Sequence, residues 1–209
     1  VFDELQQGIK AIEFLDDPPA GHLHIGCTEV GASGLIPLLI ERLVHRRSGL
    51  HFHVMSADPV SLAAVHLPAR TIELAMGGTP DDLPADVVAE PLFDDTHVVM
   101  ASTDSAWTRR RKLRLADLLE APWVLPPVDS LARRRIDAAF AARGLAAPTA
   151  KVSTFSMPLC HQLLSGGNYL AILPRRASSL ASHLAIRPLN VDLPEIRRSI
   201  GIMTLKNRT

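Results

Sequence analysis

An α/β fold of two similar lobes is what this sequence predicts. Strand and helix patterns alternate along it, and the alternation starts afresh at Leu115. A chain of 209 residues, 47% apolar, also suffices for two lobes of about 100 residues each.

Residues 1–15 read as a helix, with Phe2, Leu5, Ile9 and Ile12 forming a short seam. The seam suits the end of a dimerising linker helix over 1–18, or an amphipathic helix packed on its own domain. Pro18-Pro19 ends it, and Gly21 opens the next unit. Strand Leu23–Cys27, helix Gly31–Arg47, strand His51–Ser56, a short helix over 60–67 and strand Ile72–Met76 follow. Pro91-Leu92 then leads into strand His97–Ala101. Such a run implies a parallel sheet covered on both faces by helices.

The second lobe starts with a short helix, Leu115–Glu120, and strand Trp123–Leu125. Ser130 has the chemistry of an N-cap for helix Leu131–Arg143, and Gly144 stops that helix. Strand Lys151–Thr154 precedes a helix over 157–165, which has Pro158 in its first turn. Tyr169–Leu173, Ile186–Leu189 and Ile200–Leu205 read as strands, and the last returns to the first lobe. The chain therefore crosses between lobes twice, with lobe I over 19–97 and 188–209 and lobe II over 98–187.

In open α/β sheets ligands sit beyond the carboxyl ends of the strands, where helix N-termini offer N–H groups. On the first lobe that position falls to Thr28, Glu29, Val30 and Gly31, with Asp58 and Gly77 after the neighbouring strands. On the second it falls to Pro126, Ser130, Thr154 and Ser156. These positions suit a carboxylate, phosphate or hydroxyl-rich ligand. A nucleotide loop is excluded, because Ala32 stands where Gly26-x4-Gly31 would need a lysine, and Glu29 repels polyphosphate. No G-x-S-x-G elbow, paired carboxylates or metal-ligand set is recognisable, so neither catalytic residues nor a cofactor are expected.

Lys plus Arg and Asp plus Glu number 22 each, which argues against a domain that grips nucleic acid by itself. No apolar run reaches the roughly 18–20 residues of a membrane span. Cys27 and Cys160 read as reduced, buried thiols of a cytoplasmic protein, although a helix N-terminus beside Cys27 would favour thiolate. His22 and His24 share a strand face with the neighbouring pair His51 and His53, read as partly exposed histidines without an acidic partner. Arg109–Arg114, beside Trp107, and Arg133–Arg135 read as solvated surface.

Several motifs in order then carry a resemblance across nearly the whole chain. They are Gly21-His22-Leu23-His24-Ile25-Gly26, Leu35-Ile36-Pro37 and Arg70-Thr71-Ile72-Glu73-Leu74-Ala75. Glu90-Pro91-Leu92, Leu115-Ala116-Asp117-Leu118 with Pro122-Trp123-Val124, and Leu170-Ala171-Ile172-Leu173-Pro174 complete them. The chain resembles the effector-binding domain of LysR-type transcriptional regulators. Trp123–Pro127 and Leu205–Thr209 look similar to the subgroup of galactose-binding-protein regulators. The resemblance implies two Rossmann-like lobes of periplasmic-binding-protein type II with two crossover strands. It implies a small effector between them (a sugar, sugar acid or organic acid) and a homodimer or homotetramer. DNA would be read only by a winged helix-turn-helix preceding Val1. A stand-alone solute-binding protein is the alternative with the same fold. Two positions depart from the family pattern: Glu73 replaces an Asp, and Val30 stands where several members carry a hydroxyl.

Overall fold

The computed structural model describes residues 21–46, 49–176 and 185–206. The expected helix over 1–15 lies outside them. The chain forms two compact units. The first contains the chain up to Met76, Leu83–Val88 and the chain from Met203; the second contains Gly77–Asp82 and Ala89–Ile202. Strands β4 (Val87–Ser102) and β9 (Arg197–Leu205) run through both, as two crossovers require.

In the first unit, β1 (His22–Cys27) pairs in parallel with β2 (His51–Ser56) and with β3 (Leu74–Gly78). The helix expected over Gly31–Arg47 is two helices, α1 (Glu29–Ala32) and α2 (Leu35–Arg46). Pro37 explains the break. In a continuous helix its ring would collide with the Ser33 carbonyl and its missing N–H would leave that carbonyl unbonded. Restarting at Leu35 puts Pro37 in the first turn, where no N–H is needed. The Ser33 hydroxyl closes α1 by donating to the Glu29 carbonyl at 2.8 Å.

Beyond β2, the Asp58 carboxylate accepts the N–H groups of Val60 and Ser61 at 3.0 Å each and so starts α3 (Pro59–Ser61). The chain widens there into a π-helical turn, Leu62–His66. Leu62 and Ile72 are buried against β1, where a Cβ on Gly26 would stand 2.6 Å and 2.5 Å from them. Only glycine lets this layer approach so closely. The expectation that helices cover both faces fails at β2, which ends the strand order and leaves His51, His53 and Val54 exposed.

The second unit is a mixed sheet. Here β5 (Trp123–Leu125) is parallel to β6 (Ala150–Ser153) and β7 (Leu170–Pro174). Strand β4 runs antiparallel to β7 and to β8 (Ile186–Pro188). The expected strand His97–Ala101 is only the inner part of β4. Hydrophobicity marks that part, whereas pairing extends the strand: a Cβ on Gly201 of β9 would stand 2.5 Å from the Glu90 carbonyl oxygen.

Helix α4 (Leu131–Ala141) begins and ends where its sequence dictates. The Ser130 hydroxyl oxygen accepts the Arg133 N–H at 3.1 Å, and Gly144 follows at φ +69. Helix α5 (Met157–Ser165) is capped by Ser156, with Pro158 in its first turn. The core gathers Leu115, Leu118, Leu125, Ile136 and Phe140 around Trp123. The Trp123 ring meets Phe140 edge-on at 6.1 Å, and its Nε1–H donates to the Leu118 carbonyl at 2.8 Å.

Candidate functional site

In the first unit Cys27, the last residue of β1, lies opposite both Ser56, the last of β2, and Met76, after which β3 runs on to Gly78. The residues that follow are thereby brought together: Thr28 after β1 and Ala57-Asp58 after β2, while Gly77, next after Met76 within β3, belongs to the second unit. Two bonds lock the junctions, Ala57 N–H to the Cys27 carbonyl at 3.0 Å and Thr28 N–H to the Met76 carbonyl at 3.4 Å. Thr28 is nearly buried, and its hydroxyl oxygen accepts the Gly31 N–H at 3.3 Å. Gly31 lies beside the Met76 carbonyl, where a Cβ would make an ordinary contact of 3.5 Å.

Because α1 is a single turn, its macrodipole is small, and individual N–H groups matter more. Gly31 N–H is already bonded, while Glu29 and Val30 occupy the first turn, whose N–H groups no helix can bond internally.

In the second unit Leu125 lies opposite Ser153, and Thr154 N–H donates to the Leu125 carbonyl at 3.0 Å. Pro126 and Thr154 are therefore neighbours at the ends of β5 and β6. The Ser130 hydroxyl donates to the Pro127 carbonyl at 2.6 Å while capping α4, and Thr154 Oγ1 accepts the Ser156 N–H at 2.9 Å. These polar groups first of all shape their own loops. The same loops expose Val128 (73%) and Phe155 (45%), an unusual exposure for apolar side chains. Sequence reasoning passed over both, because an apolar residue isolated in a turn carries no periodic signal.

The remaining candidates sort by burial. Cys27 is fully buried, and burial raises its pKa despite a contact with Ser56, in keeping with an ordinary buried thiol. Cys160 is buried too, its thiol pushed up to about 12 by desolvation. The histidine grid is present, with His22 against His51 and His24 against His53, ring centroids 5.2 Å apart in each pair. It does have an acidic neighbour, contrary to expectation. Glu73 accepts the backbone N–H of His24 and lies 3.3 Å from its Nδ1. Among the described residues no group of three or more ligands is arranged to hold a metal ion.

Arg109, Arg110, Arg111, Lys112 and Arg114 are exposed, as a solvated surface has them, whereas Arg133 is not. Arg110 stacks over Trp107 at 5.1 Å, and Arg114 pairs with Asp117 at 3.0 Å. Arg133 is buried, reaching Asp137 at 2.7 Å and the Pro148 carbonyl at 3.2 Å. Its (CH₂)₃ stem is buried on the same helix as Ile136, Ala139 and Phe140.

The profile of the LysR substrate binding domain matches residues 16–209. The HTH-type transcriptional regulator GalR of Pseudomonas putida is 31% identical over 187 residues, covering 88% of this chain and 46% of that protein. The HTH-type transcriptional regulator GbpR of Azospirillum brasilense is 25% identical over 178 residues, covering 83% of this chain and 52% of that protein. The chain thus spans about half the length of these curated relatives. The regulatory domain of CcmR from Synechocystis PCC6803, solved in complex with 2-PG, has the same fold. It is 17% identical with a TM-score of 0.74, covering 90% of this chain and 89% of that one. The chain belongs to the LysR substrate-binding-domain family. It is an effector-sensing regulatory domain rather than an enzyme.

Proposed function

Starting from that membership, we propose that a small-molecule effector binds between lobe I (19–97 and 188–209) and lobe II (98–187). Thr28, Glu29, Val30, Gly31, Asp58 and Gly77 serve it from one side. Pro126, Ser130, Thr154 and Ser156 serve it from the other. The observation that carries this reading is the register of the first unit, where β1 and β2 end side by side at Cys27 and Ser56 with Met76 of β3 beside them, which gathers residues distant in sequence. First-turn N–H groups and the Thr28 hydroxyl suit a sugar, sugar acid or organic acid, while Val128 and Phe155 offer an apolar side. The likeness to GalR and GbpR supports a place in the galactose-binding-protein-regulator subgroup.

The whole protein, on this reading, is a cytoplasmic homodimer or homotetramer that reads DNA through a separate winged helix-turn-helix. Effector binding can shift its arrangement only by the difference in affinity for the two states. A thermal-shift panel of sugars, sugar acids and organic acids tests the site. A true effector raises the melting temperature, and Thr28→Ala or Ser130→Ala reduces that rise. A ligand whose effect neither substitution weakens would show that the site is misplaced.

A further inference from the structure

One guanidinium in the second unit has no ion-pair or hydrogen-bond partner among the described residues. Arg198 of β9 is partly buried and packs directly on Gly78: a Cβ there would stand 1.4 Å from Nε and 2.1 Å from Nη2. Among the described residues no carboxylate lies within ion-pair distance of Arg198, and no oxygen accepts its N–H groups. Its surroundings add to the imbalance. Arg135 repels it, and Arg135 already has its own partner, Asp81, at 2.7 Å. Asp95 attracts Arg198 from a greater distance, but Asp95 Oδ1 is occupied by the N–H groups of Thr96 at 2.9 Å and Arg176 at 3.4 Å.

His97 stands in the same group, with Nδ1 3.3 Å from the Ile196 carbonyl. Burial, helped by Arg198 and Arg135, holds it neutral with a pKa of about 4. Burial also lowers Arg198, to about 10, which leaves it charged at neutral pH. Its donors are not sealed from solvent, so an incoming oxyanion can take the place of water on the fork.

We propose that Arg198, seated on Gly78 and reinforced by Arg135, is the recognition group of an oxyanion site that takes a carboxylate or phosphate. The planar fork of a guanidinium matches two oxygens of either group. The absent side chain at Gly78 keeps that fork in place. Gly78 follows Gly77 of the proposed effector site, but Arg198, Arg135 and Gly78 are not among the residues of that reading, so the two can stand or fall separately. The oxyanion is either a free inorganic ion or the acid group of an organic ligand.

The test compares melting of the full chain in inorganic phosphate and in chloride at equal ionic strength. Phosphate raises the melting temperature of the native chain by mass action. Arg198→Gln loses that rise yet melts no lower than the native chain in chloride, because Arg198 makes no ion pair among the described residues and Arg135 repels it. Gly78→Ala displaces the guanidinium without touching it chemically and weakens phosphate binding by about tenfold. Organic acids that stabilise the native chain separate the two sources. Loss of their effect in Arg198→Gln, with competition by phosphate, assigns the oxyanion to the organic ligand; additive effects assign it to an inorganic ion. A native chain that melts identically in phosphate and chloride overturns the proposal. So does an Arg198→Gln variant that keeps the phosphate response.

Discussion

At the same point of the fold the two units turn from strand to helix in different ways. In the first, Thr28 directly follows β1 and starts a helix of one turn. In the second, the turn Pro126–Ser130 separates β5 from a helix of 11 residues. Behind the first lies a thin layer, with Leu62 and Ile72 seated on Gly26 and β2 exposed beside them. Behind the second lies a dense cluster around Trp123 and Phe140. The Ser130 hydroxyl is committed twice, to the Pro127 carbonyl and to the helix. The difference teaches where rigidity resides. The second unit ties one hydroxyl to both its turn and a long helix, whereas in the first Thr28 and Asp58 each cap only a short helix.

If that contrast is right, the largest effect follows Trp123→Ala. Truncating a fully buried indole that also bonds the Leu118 carbonyl costs about 4 kcal/mol. Ile25→Ala, in the thinner layer of the first unit, costs about 3 kcal/mol. Urea denaturation followed by far-ultraviolet circular dichroism measures both, and equal losses would erase the contrast.

A smaller effect separates the units by pH. His97 has its folded pKa lowered from 6.5 to about 4, chiefly by burial, with Arg198 and Arg135 acting in the same direction. The Ile196 carbonyl and Asp95 act against it. Between those values the unfolded chain binds the extra proton, so the contribution is complete above about pH 6.5 and disappears as pH falls towards 4. The loss is on the order of 2 kcal/mol after allowing for partial exposure. Trp107 and Trp123 both belong to the second unit, so tryptophan fluorescence in urea follows it specifically. His97→Gln flattens the slope; an unchanged slope would remove His97 from the account.

The smallest effect concerns the caps. Ser130→Ala costs about 1 kcal/mol, because it frees an N–H at the start of a long helix. Thr28→Ala costs about half as much, since its helix is one turn and its bond is longer, 3.3 Å against 3.1 Å. Chemical denaturation of the two variants ranks them, and the reverse order would make α1 the more dependent helix.

The sequence by itself determined what depends on a few adjacent residues. Ser130 and Gly144 bound α4 because a hydroxyl finds an N–H three residues on and glycine alone is at ease at positive φ. The alternation of strand and helix likewise announced the two lobes, and the glycines around Thr28 marked a strand-to-helix turn. Even the break at Pro37 was locally encoded, though overlooked, since a missing N–H acts within one turn. Tertiary structure alone decided the rest. Glu73 meets His24 across 49 positions, Arg133 sinks into the core along its aliphatic stem, and Arg198 comes to rest on Gly78. Burial and charge pairing depend on which distant segments become neighbours, and residue type alone carries no record of that. The oxyanion site follows from the same cause: an arginine in a strand looks ordinary until its surroundings among the described residues hold no ion-pair partner for it.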